Sequence, residues 1–394
     1  MQRTGRREFL MAAGLTPVAM MGAGVPEAAL AAGQTAIETL PMLPEEQPKH
    51  KIRFGVVGMS HDHIYGMAAA VMRGGGELVS AWGSEPDKLA NFTKRFPNVP
   101  IKATQDEIIN DPSLQVILTS QVPNERTQIG LRAMRAGKDV LADKPGIITL
   151  KELADVRKAI KSTGRMYKIQ YSERLDVRAA VHAGELIKQG AIGTVIQTIN
   201  LAPHQIFQNG GDAGGGGGRP DWFWDDARFG GILADIGSHQ VDQFLYYTGS
   251  TKAEIVTSQV ANLKHPDRPK FQDFGDMMLR SDKGFGYIRL DWFTPKGLGT
   301  WGDGRLFILG TDGYIEARKY INVGVEKKGN LLIVVNQQGT RVIDCTNGPL
   351  PFGPQFVKDV VNRTHTAQDQ DQALLAAELS ITAQKNAKRI NGLG

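Results

Sequence analysis

Between residues 51 and 170, short apolar runs alternate with amphipathic helical stretches. No other feature of the chain limits its fold as tightly. The runs fall at 51–57, 77–82, 101–103, 116–120, 140–142 and 166–170, with helical periodicity at 87–96, 127–136 and 150–162. Strands separated by helices cannot pair as hairpins, so they enter a parallel sheet with helices on its faces. The predicted class is α/β, with a doubly wound parallel sheet over 51–170. After residue 175 the pattern changes. A helix at 178–189 and a strand at 194–201 lead into a long loop, and several strands with turn signals occupy 253–335. These predict a second, α+β domain over 171–394, built on a mainly antiparallel open sheet and closed by helices near 354–362 and 370–388.

Residues 1–31 read as a targeting segment rather than as fold. Arg6-Arg7-Glu8-Phe9-Leu10 sets a twin-arginine pair before apolar residues, 11–25 is apolar but rich in Ala and Gly, and Ala29-Leu30-Ala31 is a small-x-small cleavage site. The run is short for a membrane span and is broken by Pro17. Export by the twin-arginine route to the periplasm is expected, with no stable membrane anchor after cleavage. Residues 32–50 carry Pro and Glu without periodicity and read as a linker. The remainder is globular in composition, with 41% hydrophobic and 22% charged residues. Its 46 basic and 41 acidic residues are scattered, and aromatics are 7%, which excludes a nucleic-acid partner. The single cysteine, Cys345, rules out an intrachain disulfide and a cysteine metal site, and reads as a buried small apolar side chain. Gly214–Gly218 is a low-complexity loop insert.

Two segments carry chemistry. The first strand-to-helix turn is Gly55-Val56-Val57-Gly58-Met59-Ser60-His61-Asp62-His63. Glycines at such a turn let backbone amides approach a pyrophosphate, whose charge the helix N-terminus favours. The usual G-x-G-x-x-G spacing is only partly met, since Ser60 and His63 replace two glycines. At the end of the second strand, where an acid ordinarily meets the adenosine ribose, stand Gly83 and then Ser84. NAD and NADP therefore stay open. His61 and His63 also have a metal-ligand spacing that His204, Asp235 and His239 could complete. The nucleotide turn already explains their location, and no metal is assigned. The other segment runs from Gly230-Gly231 to Asp242 and spaces Asp235, His239 and Asp242 by four and three residues. On a helix all three share a face, and a histidine bracketed by carboxylates can be held in one tautomer for proton transfer.

Together these segments resemble the glucose–fructose oxidoreductase, inositol dehydrogenase and rhizopine-catabolism family, Gfo/Idh/MocA. The resemblance extends over roughly residues 51–390. Val140-Leu141-Ala142-Asp143-Lys144-Pro145 is similar to the family's E-K-P, with Asp143 one methylene shorter. Gly230 to Asp242 is similar to its G-G-x-x-x-D-x-x-x-H-x-x-D, and Val122-Pro123-Asn124 to its T-P-N. The resemblance implies an NAD- or NADP-dependent oxidoreductase acting on a sugar, cyclitol or related polyol, and a homo-oligomer. Lys144 would lie between nicotinamide and substrate, with His239 transferring the proton and Asp235 as its substrate-binding partner. The dinucleotide would meet Gly55, Gly58, Ser60, His61, Ser84, Ser120, Asn124, Asp143 and Lys144. Substrate would meet Asp235, Arg174, and Trp222 and Trp224 of the loop before Gly230, where tryptophans suit stacking on a sugar face. An exported enzyme needs its cofactor loaded before transit and retained. Two further readings follow from the same fold: a redox-neutral glycosidase that oxidises, eliminates and re-reduces, and a non-catalytic sugar- or nucleotide-binding protein.

Overall fold

The computed structural model describes residues 36–43, 48–206, 219–324 and 328–390. The first described element is a strand, β1 (Ile37–Thr39), inside the segment read as a linker. It adds in parallel to the edge of a distant strand, and Glu38 pairs with Arg341 there. The alternating region then runs β2 (Ile52–Val57), α1 (His63–Arg73), β3 (Gly76–Trp82), α2 (Pro86–Arg95), α3 (Gln105–Ile109), β4 (Val116–Thr119), α4 (Pro123–Arg135), β5 (Asp139–Asp143), α5 (Leu150–Thr163) and β6 (Tyr167–Gln170). The strands form the expected parallel sheet, in the order β3-β2-β4-β5-β6. Strands β4, β5 and β6 are buried at every position, as in a sheet covered on both faces, with apolar runs at Val116–Leu118 and Val140–Ala142, while β6 buries Lys168 and Gln170 among Tyr167 and Ile169. A capping box of Thr149 and Glu152 starts α5, and Gly164 at φ 65° ends it. The run at 101–103 is not a strand. Ile101 makes a single bridge to Ala81, because only three residues separate Pro100 from Thr104, the cap of α3.

The second half runs α6 (Ser172–Leu175), α7 (Arg178–Lys188), β7 (Val195–Pro203), a 3-10 turn (Asp221–Trp224), α8 (Asp226–Phe229), α9 (Ile232–Asp235) and α10 (Gly237–Thr248). Then come β8 (Ala253–Ala261), β9 (Phe274–Ser281), β10 (Phe285–Asp291), β11 (Arg305–Gly310), β12 (Gly313–Arg318), β13 (Leu331–Asn336), β14 (Gly339–Asp344), α11 (Phe352–Asn362), α12 (Gln370–Asn386) and β15 (Lys388–Ile390). Among the described residues, ten strands make one sheet, ordered β1-β14-β13-β12-β11-β7-β10-β9-β8-β15. It is mainly antiparallel, with parallel pairs at β7/β10, β1/β14 and β8/β15. Its inner face packs under α10 and α12, where Val241, Phe244 and Leu245 meet Met277, Leu279, Ile288 and Leu290, and under α7, where Ala180, Ala183 and Leu186 meet Leu306, Ile308, Ile315 and Leu332. Cys345 is fully buried, as expected.

A domain boundary at residue 171 does not separate the chain cleanly. Helix α11 returns to the parallel sheet, where Phe352, Phe356, Val357 and Val360 join Phe54, Met67 and Val71 in one apolar cluster. From Ile37 onward the chain is one compact unit. The targeting segment and Gly214–Gly218 lie outside the described residues. Among the described residues, no helix is long and apolar enough to cross a membrane.

Candidate active site

The strand order reverses between β2 and β4, and ligands of open α/β sheets bind outside the carboxyl ends of the strands at such a point. Gly58 stands there with φ 91°, and an added Cβ would meet the Gln121 side chain at 2.5 Å. The turn therefore needs glycine for its conformation and for close approach. Gly55 has a different role from the one expected. It lies inside β2, where a Cβ would meet Ile108 at 2.4 Å, so it serves packing rather than a ligand. Ser60 Oγ lies 2.5 Å from Glu85 Oε1 and 2.9 Å from Gln121 Oε1, and Ser84 Oγ donates to Glu85 Oε2 at 2.8 Å. Glu85 thus brings to the turn the carboxylate that Gly83 lacks, because the chain bends back after β3. Asn124 is exposed on the first turn of α4, and its neighbour Pro123 faces the cleft instead.

Asp143, at the end of β5, is a hub. Its Oδ1 accepts from the Lys144 amide at 2.7 Å and from His63 Nδ1 at 2.8 Å. Its Oδ2 lies 2.8 Å from Ser120 Oγ, 3.1 Å from His61 Nδ1 and 3.1 Å from Arg126 Nη2. Burial would raise the carboxyl's pKa, but Arg126 and the two imidazoles hold it well below the carboxylate range. The shorter side chain at this position leaves room for two imidazoles. His61, His63 and Asp143 offer metal-ligand atoms within 4.8 Å of one another. Both oxygens are already occupied by donors, however, and the Arg126 guanidinium opposes a cation. The cluster works as a hydrogen-bond hub that turns both Nδ1–H groups inward.

Beyond the hub opens a cavity of about 280 Å³. Lys144 Nζ reaches Asp235 Oδ1 at 2.9 Å, joining the end of β5 to the end of α9. His61, His63, Trp222 and His239 share this cleft with them. His239 is 2% exposed, and neither Asp235 nor Asp242 bonds its ring; Nδ1 is buried without a partner. Asp242 sits two helical turns beyond Asp235, about 10 Å further along the axis. There it accepts from Arg174 Nε and Nη2 at 2.5 and 3.0 Å. Arg174 is thereby removed from the substrate contacts: its guanidinium lies 4.4 Å from the Tyr246 ring and lines a separate cavity of about 120 Å³. Trp224 also leaves the cleft. Its ring packs on Phe271 and His265 under Arg268, since the 3-10 turn sends successive side chains to different sides. Glu173, His204, Trp292, Trp301 and Tyr320 take their place. They come from four separate segments, so no local spacing announces them.

Burial sets the protonation of the cleft. It lowers His61, beside His63, and His204 to about 4, and holds His239 well below its ordinary 6.5. His204 Nδ1–H donates to the Ala202 carbonyl at 3.1 Å, which leaves Nε2 as an acceptor. The cleft therefore holds neutral imidazoles beside a lysine–aspartate pair, a set able to accept a proton while a cation stabilises developing negative charge on oxygen.

Comparison with known proteins agrees with this geometry. Residues 52–171 match the oxidoreductase family profile with an NAD-binding Rossmann fold, and residues 180–316 match the GFO/IDH/MocA C-terminal domain. A structure from Erwinia carotovora atroseptica, presented as a candidate oxidoreductase, is 44% identical, covers 86% of this chain and 100% of its own, and superposes with a TM-score of 0.82. Levoglucosan dehydrogenase, solved with NADH and levoglucosan, shares the fold at 17% identity over 86% of this chain and 97% of its own, with a TM-score of 0.69. Among curated relatives, 1,5-anhydro-D-fructose reductase of Ensifer adhaerens is 25% identical over 52% of this chain and 59% of its own length. The NADP-dependent scyllo-inositol 2-dehydrogenase of Bacillus subtilis is 26% identical over 42% and 43%. The chain matches about half the length of these curated relatives. Two adjoining family profiles and a full-length relative at 44% identity place the chain in the Gfo/Idh/MocA oxidoreductase family, with its NAD-binding Rossmann domain followed by the family's C-terminal domain.

Proposed function

We propose that the protein is an exported NAD(P)-dependent oxidoreductase that interconverts a hydroxyl and a ketone on a sugar, cyclitol or related polyol. The observation that carries this reading is the 2.9 Å Lys144–Asp235 pair in a cleft with the neutral His239. The residues present fit a dinucleotide. The Gly58 turn brings backbone to the start of α1, and Glu85, seated against Ser60, suits ribose hydroxyls and would repel a 2′-phosphate, favouring NAD. When bound, the nicotinamide supplies a hydride acceptor or donor. Lys144 holds Asp235 and places its ammonium where an alkoxide develops. His239 accepts the hydroxyl proton, and the aromatic wall covers the apolar face of a sugar and excludes water.

Export by the Arg6-Arg7 signal supports a tightly held cofactor, since free nicotinamide is scarce outside the cytoplasm. Mass spectrometry of the small molecules released on denaturing the purified mature protein tests this, and about one NAD(H) per chain is the expected result. Absence of any dinucleotide, with no rise in Tm on adding one, overturns it. Replacing Arg6 and Arg7 by lysine should hold the protein in the cytoplasm, as fractionation will show. Normal export of that variant removes the basis for cofactor retention.

A further inference from the structure

Arg126 is a charged residue of the cleft to which the reaction outlined above gives no task. It stands in the first turn of α4, lines the same cavity as Lys144, and is only 1% exposed. Burial disfavours a guanidinium and pulls its pKa below the ordinary value, so the placement needs a reason. Its hydrogen bonds supply one. Nε donates to the Gln121 carbonyl at 2.6 Å, which fixes the guanidinium to the start of its own helix. Nη1 donates to the carbonyls of Lys144 and Pro145 at 2.5 and 3.1 Å, and Nη2 lies 3.1 Å from Asp143 Oδ2. Arg174, also buried, grips Asp242 with two nitrogens. Arg126 gives its carboxylate only one and turns the others to main-chain carbonyls. Lys144 closes the arrangement: its amide donates to Asp143 Oδ1 at 2.7 Å while its carbonyl accepts from Arg126. One ion pair thus holds the main chain of Lys144 on both sides.

We infer that Arg126 is a positioning residue: with Asp143 it clamps the Lys144 main chain at its amide and its carbonyl, and so fixes where the Lys144 ammonium stands beside Asp235. The inference rests on the oxidoreductase reading for what Lys144 does, and adds a residue that acts through it. A lysine carries its charge on a flexible four-carbon stem. The Lys144 stem must reach from the end of β5 to Asp235 on α9, where Nζ and Oδ1 stand 2.9 Å apart. Its tip keeps one place only if its root is held. The planar guanidinium suits that task, because its nitrogens point at several acceptors at once from one rigid group. An ammonium at position 126 would keep the charge opposite Asp143. It would donate from a single point, and could not span three carbonyls and a carboxylate together.

The test uses the full-length mature protein with its dinucleotide bound, and myo-inositol, D-xylose and methyl β-D-glucoside as probes. Arg126→Met removes the clamp and its charge. Arg126→Lys keeps a cation opposite Asp143, so no buried carboxylate is stranded and the fold is protected. Arg126→Met should lower kcat about a hundredfold, the effect of misplacing a reacting group by about 1 Å, and Arg126→Lys about tenfold. KM and dinucleotide Kd should stay within about twofold in both. Added to Lys144→Met, Arg126→Met should lower kcat less than about twofold further, since a residue that acts through another then has nothing to act on. In crystals of both variants the Lys144–Asp235 separation should exceed 2.9 Å by about 0.5 Å or more. An undisplaced pair overturns the clamp whatever the turnover. So does a lowered Tm with normal turnover per folded molecule, which leaves Arg126 structural and the oxidoreductase reading in place. A full Arg126→Met loss on top of Lys144→Met also overturns it. A wild type that oxidises none of the probes, with the pair displaced in both variants, overturns the oxidoreductase reading and keeps the clamp.

Discussion

His239 joins two properties that pull against each other. Burial keeps its imidazole neutral, ready to accept a proton, and also makes it a weak base. The Lys144 ammonium, held at 2.9 Å from Asp235, compensates by stabilising the alkoxide that proton loss would create. His239→Ala should therefore lower turnover by roughly a hundred- to ten-thousandfold, with dinucleotide Kd almost unchanged, in steady-state kinetics paired with a binding titration. Normal turnover of the folded variant would remove the proton-transfer role. The low pKa values also fix a stability profile. In the unfolded chain His61, His204 and His239 titrate near 6.5, whereas the folded values are about 4 for His61 and His204 and well below 6.5 for His239. Below 6.5 the unfolded state binds more protons, so the stabilisation is complete above that pH and is lost as pH falls towards 4. The slope is about 1.4 kcal/mol per pH unit for each histidine. Denaturant titrations at pH 7 and pH 5 measure it, and equal midpoints would contradict the burial of these rings. The acid limb of kcat/KM should likewise fall below 6.5.

At the scale of elements, α9 and α10 sort three similarly spaced residues into two tasks. Asp235 and His239 reach the cleft, while Asp242, two turns on, is fully buried and locked to Arg174. Removing one partner of such a pair leaves an uncompensated charge. Asp242→Ala should cost about 3–5 kcal/mol in denaturant unfolding, with dinucleotide affinity and turnover per folded molecule close to wild type. A large loss of turnover at unchanged stability would return Asp242 to the proton-transfer machinery. The residues Lys144, Asp235 and His239 were legible because each sits in a short local pattern on one element. The apolar runs of β2, β4 and β5, each followed by a helical stretch, made the parallel sheet legible in the same way. What was not legible depends on distance along the chain. Glu85 reaches Ser60 only through the bend after β3, and α11 returns to the first sheet from nearly 300 residues beyond β2. Glu173 and Lys319 are 146 positions apart. Arg174, expected at the substrate, has the sequence context of its neighbour Glu173, and one residue along α6 turns the side chain to another cavity.

For the whole molecule, the open face of the ten-stranded sheet is where association is expected. Its inner face is sealed by α10 and α12 on one half and by α7 on the other. On the outer face the strand registers align Met278, Tyr287, Ile199, Phe307, Glu316 and Ile333 in one row across β9, β10, β7, β11, β12 and β13. A second row runs Phe285, Gln197, Leu309, Tyr314 and Val335. Met278 is 48% exposed and Phe285 53%. Six strands at about 4.8 Å spacing make an apolar strip roughly 24 Å wide. Soluble chains rarely leave such a patch in water, and a face of this kind can pair with its own copy about a two-fold axis. The expected homo-oligomer should therefore form through this sheet face. Analytical ultracentrifugation of the mature protein should show a dimer or larger assembly. Tyr287→Glu combined with Phe307→Glu should convert it to monomer, since two pairs of like charges would be buried at the centre of the contact. Neither side chain lines the cleft, so the monomer should retain its dinucleotide. A monomeric wild type, or an assembly that survives both substitutions unchanged, would show that the sheet face is not the contact.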